Sequence, residues 1–259
     1  VGNGFLGLRL YRNQGKAEVP PAPPADPAAP VAAPATPPQP LWFGDITAKF
    51  GLDASRVPNP VRADTVLVGD LNADGKQDFV VTGADVRVIL NAGTTFQERK
   101  EAGLKFTASG STPLLADLNG DKHLDLFVPQ PDGSCKLFRN DGKAQFADVT
   151  AASGAIAQPL RFATSAATVP TADPKRIGLI VGCLRGPNRF FRNDGSGKFV
   201  EATQELGLHQ KVFNSRGVSA VDLNVDGAID LVFNNEGQES TILLGRVADI
   251  KLTGLELPK

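Results

Sequence analysis

Three stretches crowd carboxylates into alternating positions: GDLNADGKQDFVV (Gly69 to Val81), ADLNGDKHLDLFVP (Ala116 to Pro129) and VDLNVDGAIDLVFN (Val221 to Asn234). They share the pattern D-x-N-x-D-G-x-x-D, with Lys122 in the glycine's place in the second. Hard oxygen donors spaced in this way on a tight loop suit Ca²⁺, which takes about 6–8 oxygens at roughly 2.3–2.6 Å. In the first loop Asp70, Asn72 and Asp74 offer side-chain oxygens, Gly75 permits the turn, Lys76 offers a backbone carbonyl and Asp78 closes the site. Carboxylates packed so closely repel one another, and a cation removes that cost. An Asx-rich turn that needs no metal is the competing reading. An EF-hand is excluded, because its twelfth loop position is a Glu. Val81, Val128 and Phe233 stand there, each inside an apolar, strand-like run.

Catalytic signatures are thin. The two histidines, His123 and His209, fall in a loop and after a Gly-Leu pair. No H-E-x-x-H, G-x-S-x-G or P-loop is present. GNGFLG (Gly2 to Gly7) spells G-x-G-x-x-G, but the FLGLRLYRN overlapping its end reads as strand, not as the start of a helix. The sequence therefore predicts no enzyme and no catalytic residues.

The Asp-rich loops belong to a repeat. A fourth, eroded copy reads VPTADPKRIGLIVG (Val169 to Gly182), and aligning it places Val169 in the first slot and keeps only Asp173 as an acid. First positions Asp70, Asp117, Val169 and Asp222 are then 47, 52 and 53 residues apart. A second phrase follows each copy. LFRNDGKAQFADVTAASG (Leu137 to Gly154) matches FFRNDGSGKFVEATQELGL (Phe190 to Leu208), and RVILNAGTTFQERKEAGL (Arg87 to Leu104) is a looser version. RLYRNQGK (Arg9 to Lys16) starts the same phrase and LWFGDITAKFGL (Leu41 to Leu52) completes it. The Pro/Ala-rich tract between these halves, residues 17–40, reads as a polyproline-like loop inserted inside one repeat unit. A linker between two domains is the other reading of that tract.

Each unit thus predicts a polar loop, a strand, a second strand ending in Arg-Asn, an Asn/Asp-Gly turn and a further strand. Units of about 50 residues with three or four strands suit β-propeller blades, which must stack to cover their apolar faces. The expected fold is all-β: a complete small or partial propeller of about four to five blades of antiparallel strands, as a single domain over 1–259 with a short tail at 247–259. Gly (27) and Pro (20) are abundant, in keeping with short strands and tight turns. Net charge is −1 with the signs well mixed, which gives no nucleic-acid or membrane-surface footprint. No apolar run reaches about 18 residues, so no transmembrane helix is expected. The chain opens with Val in mid-pattern, the expected look of a processed or truncated product.

With these residues in view, the chain resembles FG-GAP/VCBS repeat proteins, which build the β-propeller of integrin α-subunits and of many secreted bacterial proteins. The LYRN-x-G … F-x-D-V-T … GL phrase is similar to bacterial members that carry an ASPIC/UnbV-type region. The resemblance implies Ca²⁺ at up to three loops. Its ligands would be Asp70, Asn72, Asp74, the Lys76 carbonyl and Asp78; then Asp117, Asn119, Asp121, the His123 carbonyl and Asp125; then Asp222, Asn224, Asp226, the Ala228 carbonyl and Asp230. Lys122 must take a left-handed backbone at a cost of about 1 kcal/mol, which weakens the second site. The eroded copy should be metal-free.

Two cysteines, Cys135 and Cys183, sit near turns of neighbouring units. They either bridge adjacent blades, as an oxidising compartment would favour, or stay as two buried reduced thiols. The expected function is an extracytoplasmic (secreted, periplasmic or cell-surface), calcium-stabilised module that binds a protein or glycan and has no nucleic-acid partner. The alternatives are a scaffold or accessory subunit of a polysaccharide-active enzyme, or a subunit of a larger membrane-associated assembly. Five LYRN-type slots against four loop slots predict open edges, closed by the chain's own ends, by missing sequence or by a partner.

Overall fold

Short apolar runs bounded by Gly, Asn and Asp dictate short strands, and the computed structural model forms seventeen of them among the described residues. Described are residues 11–13, 43–45, 47–50 and 64–245, the last span without 84, 108–109, 172 and 174–175. The predicted insertion at 17–40 and tail at 247–259 lie outside the described residues.

Four antiparallel sheets follow one another along the chain. The first holds β3 (Thr65–Gly69), β4 (Asp78–Thr82), β5 (Arg87–Asn91) and β6 (Phe96–Arg99) in that order. The second holds β7 (Leu114–Ala116), β8 (Asp125–Pro129), β9 (Cys135–Asn140) and β10 (Phe146–Asp148). The third holds β11 (Ala163–Val169), β12 (Gly178–Cys183), β13 (Arg189–Asn193) and β14 (Phe199–Glu201). The fourth has three strands, β15 (Ser215–Val221), β16 (Asp230–Asn235) and β17 (Thr241–Leu243). Every neighbouring pair is antiparallel and sequential, a chain of up-and-down sheets consistent with a propeller-like fold.

Ahead of these, β1 (Tyr11–Asn13) pairs with β2 (Phe43–Asp45), joining Asn13 to Phe43 and Tyr11 to Asp45. The register matches that of β9 with β10, where Asn140 faces Phe146 and Phe138 faces Asp148. The two halves of the interrupted phrase therefore form one hairpin.

Packing between sheets explains the apolar pattern. The second strands of the second and third sheets are buried on both faces, so they read as near-continuous hydrophobic runs: all five residues of β8 and all six of β12 are buried. Leu126 and Val128 join Leu71, Val80 and Val88 between the first and second sheets. Phe127, Leu137 and Leu118 join Leu179, Phe191 and Phe199 between the second and third. Ile180 and Phe190 join Leu231, Phe233 and Leu243 between the third and fourth. The far face of the fourth sheet has no such cover among the described residues. Leu223, the counterpart of Leu71 and Leu118, is 48 % exposed where those two are 1 % exposed.

Strand pairing corrects the alignment of the eroded copy. Gly69 faces Asp78, Ala116 faces Asp125 and Val221 faces Asp230, while Val169 faces Gly178. Pro170, not Val169, therefore stands where Asp70 does, and Gly178 replaces the closing acid. A one-residue slip would turn every side chain of the strand to the wrong face, so core packing overrides the apparent acid match. Asp173 falls beside the ligand slots and pairs with Arg176 at 3.4 Å.

Candidate functional site

The three Asp-rich loops are built alike, each at the turn between the first and second strands of its sheet. The first residue is the anchor. Asp70 accepts N–H bonds from Asn72, Asp74 and Gly75. Asp117 accepts them from Asn119, Gly120 and Lys122, and Asp222 from Asp226 and Gly227. The fifth residue accepts the N–H of the seventh: Lys76 to Asp74 at 2.9 Å, His123 to Asp121 at 2.9 Å and Ala228 to Asp226 at 2.8 Å. The Asn between them donates its side-chain amide to the fifth residue's carboxylate in all three loops.

The closing acid holds each loop to its sheet. One oxygen of Asp78 accepts from Leu71 N at 2.9 Å and the other from Asn91 N at 2.7 Å. Asp125 does the same with Leu118 and Asn140, and Asp230 with Leu223 and Gly245. These three carboxylates are buried, at 0 %, 2 % and 0 % exposure. Burial pushes Asp125 up to about 6 against the backbone donors Asn140 and Leu118, with Asp121 adding to the rise and Arg139 opposing it. Burial raises Asp78 as well, again against its two amide donors. Asp74 lies at the surface, and the N–H and ammonium of Lys76 hold it below the ordinary carboxylate range.

Each loop also needs two left-handed residues. They are Ala73 and Gly75, Gly120 and Lys122, and Val225 and Gly227. Lys122 sits at φ 72, as its place in the sequence requires, while the glycine of the second loop serves the other left-handed position at φ 77.

Every residue predicted to ligate metal thus lies in one of three loops on three different sheets, and within a loop the side chains are linked. They are turned onto the loop's own N–H groups, however. Among the described residues no group of three or more His, Cys, Asp or Glu side chains stands arranged to hold a metal ion. The donor chemistry still suits a hard cation, since a carboxylate oxygen that accepts one N–H keeps a further lone pair.

Two asparagines escaped the sequence reading. Asn140 ends β9 and donates its side-chain amide to Leu71 O at 2.9 Å, in the loop of the preceding sheet. Asn193, ending β13, reaches Leu118 O in the same manner. Both are buried, at 2 % and 3 % exposure. The recurring Arg-Asn of the repeat phrase carries this signal, but in the sequence it is legible only as the start of a turn.

The remaining predicted groups are placed without converging. The His123 ring lies where a side chain at Gly142 would be, and His209 is exposed in a short 3-10 turn. Cys135 and Cys183 are free thiols, so the bridge that the sequence allowed is not formed. They share one apolar cluster between the second and third sheets, and burial pushes each up to about 12. A cleft of about 480 Å³ beside β5 and β6 is lined by Arg87, Glu98, Arg99, Lys100, Glu101 and Lys105 among others. Glu98 is paired with Arg87 at 3.3 Å, and no His lines the cleft.

Known proteins share this construction. Residues 70–128, from the first loop to the end of the second, match the FG-GAP-like repeat. Mouse cartilage acidic protein 1 is 28 % identical over 153 residues, which is 58 % of this chain and 23 % of that protein. Human cartilage acidic protein 1 is 42 % identical over 50 residues, 19 % of this chain and 8 % of the relative. The chain therefore spans less than a quarter of the length of these relatives. A solved structure of an Agrocybe aegerita lectin, described as recognising non-reducing terminal N-acetylglucosamine, superposes with a TM-score of 0.52 at 16 % identity. It covers 79 % of this chain and 54 % of the lectin, a likeness of fold. Residues 70–128 of this chain thus carry an FG-GAP-like repeat, a match with which its loops and strand order agree.

Proposed function

We propose that the chain is a non-catalytic binding scaffold whose sheets are stabilised by Ca²⁺ in the loops at Asp70–Asp78, Asp117–Asp125 and Asp222–Asp230. The observation that carries this reading is the buried closing acid. Asp78, Asp125 and Asp230 are carboxylates removed from water whose hydrogen-bond partners in the structure are backbone amides, beside further acids of the same loop. Burying such a charge is costly without compensation, and a bound cation supplies it. When bound, the ion would neutralise the loop's acids; this chain's Asp and Asn oxygens would hold it. Nothing in this arrangement activates a water or a nucleophile, so the metal is structural.

The loops and turns face outward from stacked sheets and would present a protein or glycan ligand with a firm surface. The fold-level likeness to a lectin supports a glycan as one such ligand. FG-GAP repeats and the cartilage acidic proteins support a site of action outside the cytoplasm, secreted, periplasmic or on the cell surface. No helix among the described residues is long and apolar enough to cross a membrane.

Calorimetric Ca²⁺ titration tests the proposal. Binding with a Kd of roughly 10⁻⁴–10⁻³ M, the range of extracellular modules, is expected. The triple variant Asp70→Ala, Asp117→Ala, Asp222→Ala should bind none. Wild-type protein that takes up no Ca²⁺ at millimolar concentration would refute the reading.

A further inference from the structure

The Asp-rich loops of the first two sheets are joined by an unbroken run of hydrogen bonds. It begins at Asp78, which accepts Leu71 N. Leu71 O accepts both the Asn140 side-chain amide at 2.9 Å and Ala144 N at 2.8 Å. Asn140 N then donates to Asp125 at 3.0 Å, and the second oxygen of Asp125 accepts Leu118 N at 3.2 Å. Leu118 O in turn accepts the Asn193 amide from the third sheet. Asn140 is the crossing point, because its backbone serves its own sheet's loop and its side chain serves the preceding one. Its orientation is fixed, since its side-chain oxygen accepts Gly142 N at 3.1 Å and leaves only the amide to face Leu71.

We propose that Asn140 is a positioning residue that couples the loop at Asp70–Asp78 to the loop at Asp117–Asp125, so that loosening or filling one alters the other. The part concerning filling rests on the calcium reading above; the coupling itself does not. Buried networks of this kind are worth more together than as separate bonds, because an unpaired member is costly. The run stops in the third sheet, where Pro170 and Gly178 replace the acids of the loop. The fourth sheet's loop lies beyond that gap. Leu223 O receives no asparagine amide among the described residues. The loop at Asp222–Asp230 is therefore an uncoupled control within the same molecule.

Amide hydrogen exchange in EGTA reads the coupling with no metal present. Asp70→Ala removes the anchor of the first loop. It should speed exchange at the Leu118 amide in the second by about tenfold, the loss of one buried bond, and leave the Leu223 amide unchanged. Repeated in an Asn140→Ala background, Asp70→Ala should no longer move Leu118. A plainly structural asparagine would weaken the fold without abolishing that response. The proposal is overturned if Asp70→Ala leaves Leu118 unaffected in the wild-type background, or if the effect survives Asn140→Ala. Asn140→Ser, which removes the long amide but keeps a small polar side chain, serves if the alanine variant does not fold. A Ca²⁺ titration of the same proteins separates the two readings. Absent binding sinks the calcium proposal while the exchange result still decides the coupling. Where Ca²⁺ binds, Asp70→Ala should weaken uptake at the second loop only when Asn140 is present.

Discussion

The side-chain amide of Asn140 donates to the carbonyl of Leu71 at 2.9 Å, although 69 positions separate the two. Its counterpart in the first sheet, Asn91, spends the same amide on Gln77 O in its own loop, at an exposed site. One sequence phrase therefore does two jobs, and only the buried one ties sheet to sheet. Asn140→Ala should cost about 1–3 kcal/mol by removing the buried bonds to Leu71 O and from Gly142 N, and Asn91→Ala well under 1 kcal/mol. Urea unfolding of both variants checks this, and equal losses would contradict it.

Equivalent leucines should differ in the same way. Leu118 is 1 % exposed beneath the third sheet, whereas Leu223 is 48 % exposed on the face of the fourth that has no cover among the described residues. Leu118→Ala should cost about 2–5 kcal/mol, and Leu223→Ala no more than about 1 kcal/mol. Thermal unfolding of the two variants would show a large downward shift for the first alone.

Asp125 gives a pH dependence of defined sign in the absence of metal. Its folded value of about 6 lies above the ordinary 3.8, so the folded state holds this proton more tightly than the unfolded chain does. Its contribution to stability is full below about 3.8 and is lost as pH rises through about 6. In EGTA, Asp125→Asn should therefore gain on the wild type between pH 4 and pH 7, as judged by unfolding midpoints at each pH. A difference that stays constant over that window would contradict the assignment of burial as the dominant cause. With Ca²⁺ present the order should reverse at pH 7, because the variant lacks the charge.

Lys122 carries strain that the other loops avoid at this position, with φ 72 where Gly75 and Gly227 stand. Lys122→Gly should stabilise the protein by roughly 0.5–1 kcal/mol, the left-handed penalty less the added freedom of the unfolded chain. Gly75→Lys in the first loop should lose a similar amount. Denaturant midpoints decide both.

Much of the architecture is legible in the amino-acid sequence. Three echoes of one acidic loop, with the Arg-Asn and Gly-turn phrase at Arg139–Gly142 and Arg192–Gly195, specify strand order, because local turn chemistry and period-2 burial act within a few residues. The split hairpin of β1 and β2 is legible for the same reason. What the sequence hides depends on contacts between units. The register of the eroded copy is set by Val169 facing Gly178, and an isolated Asp173 could not reveal that. The crossing from Asn140 to Leu71 joins residues 69 apart, and a turn-forming asparagine looks no different from a sheet-bridging one. Cys135 and Cys183 do meet in one cluster, where they are free thiols.

The most direct test of the central claim is the melting temperature in excess Ca²⁺ against that in EGTA. Three loops, each contributing about 1.4 kcal/mol at ten times Kd, predict a rise of several degrees that vanishes in the triple variant Asp70→Ala, Asp117→Ala, Asp222→Ala. An identical melting temperature in both conditions would contradict a calcium-stabilised scaffold.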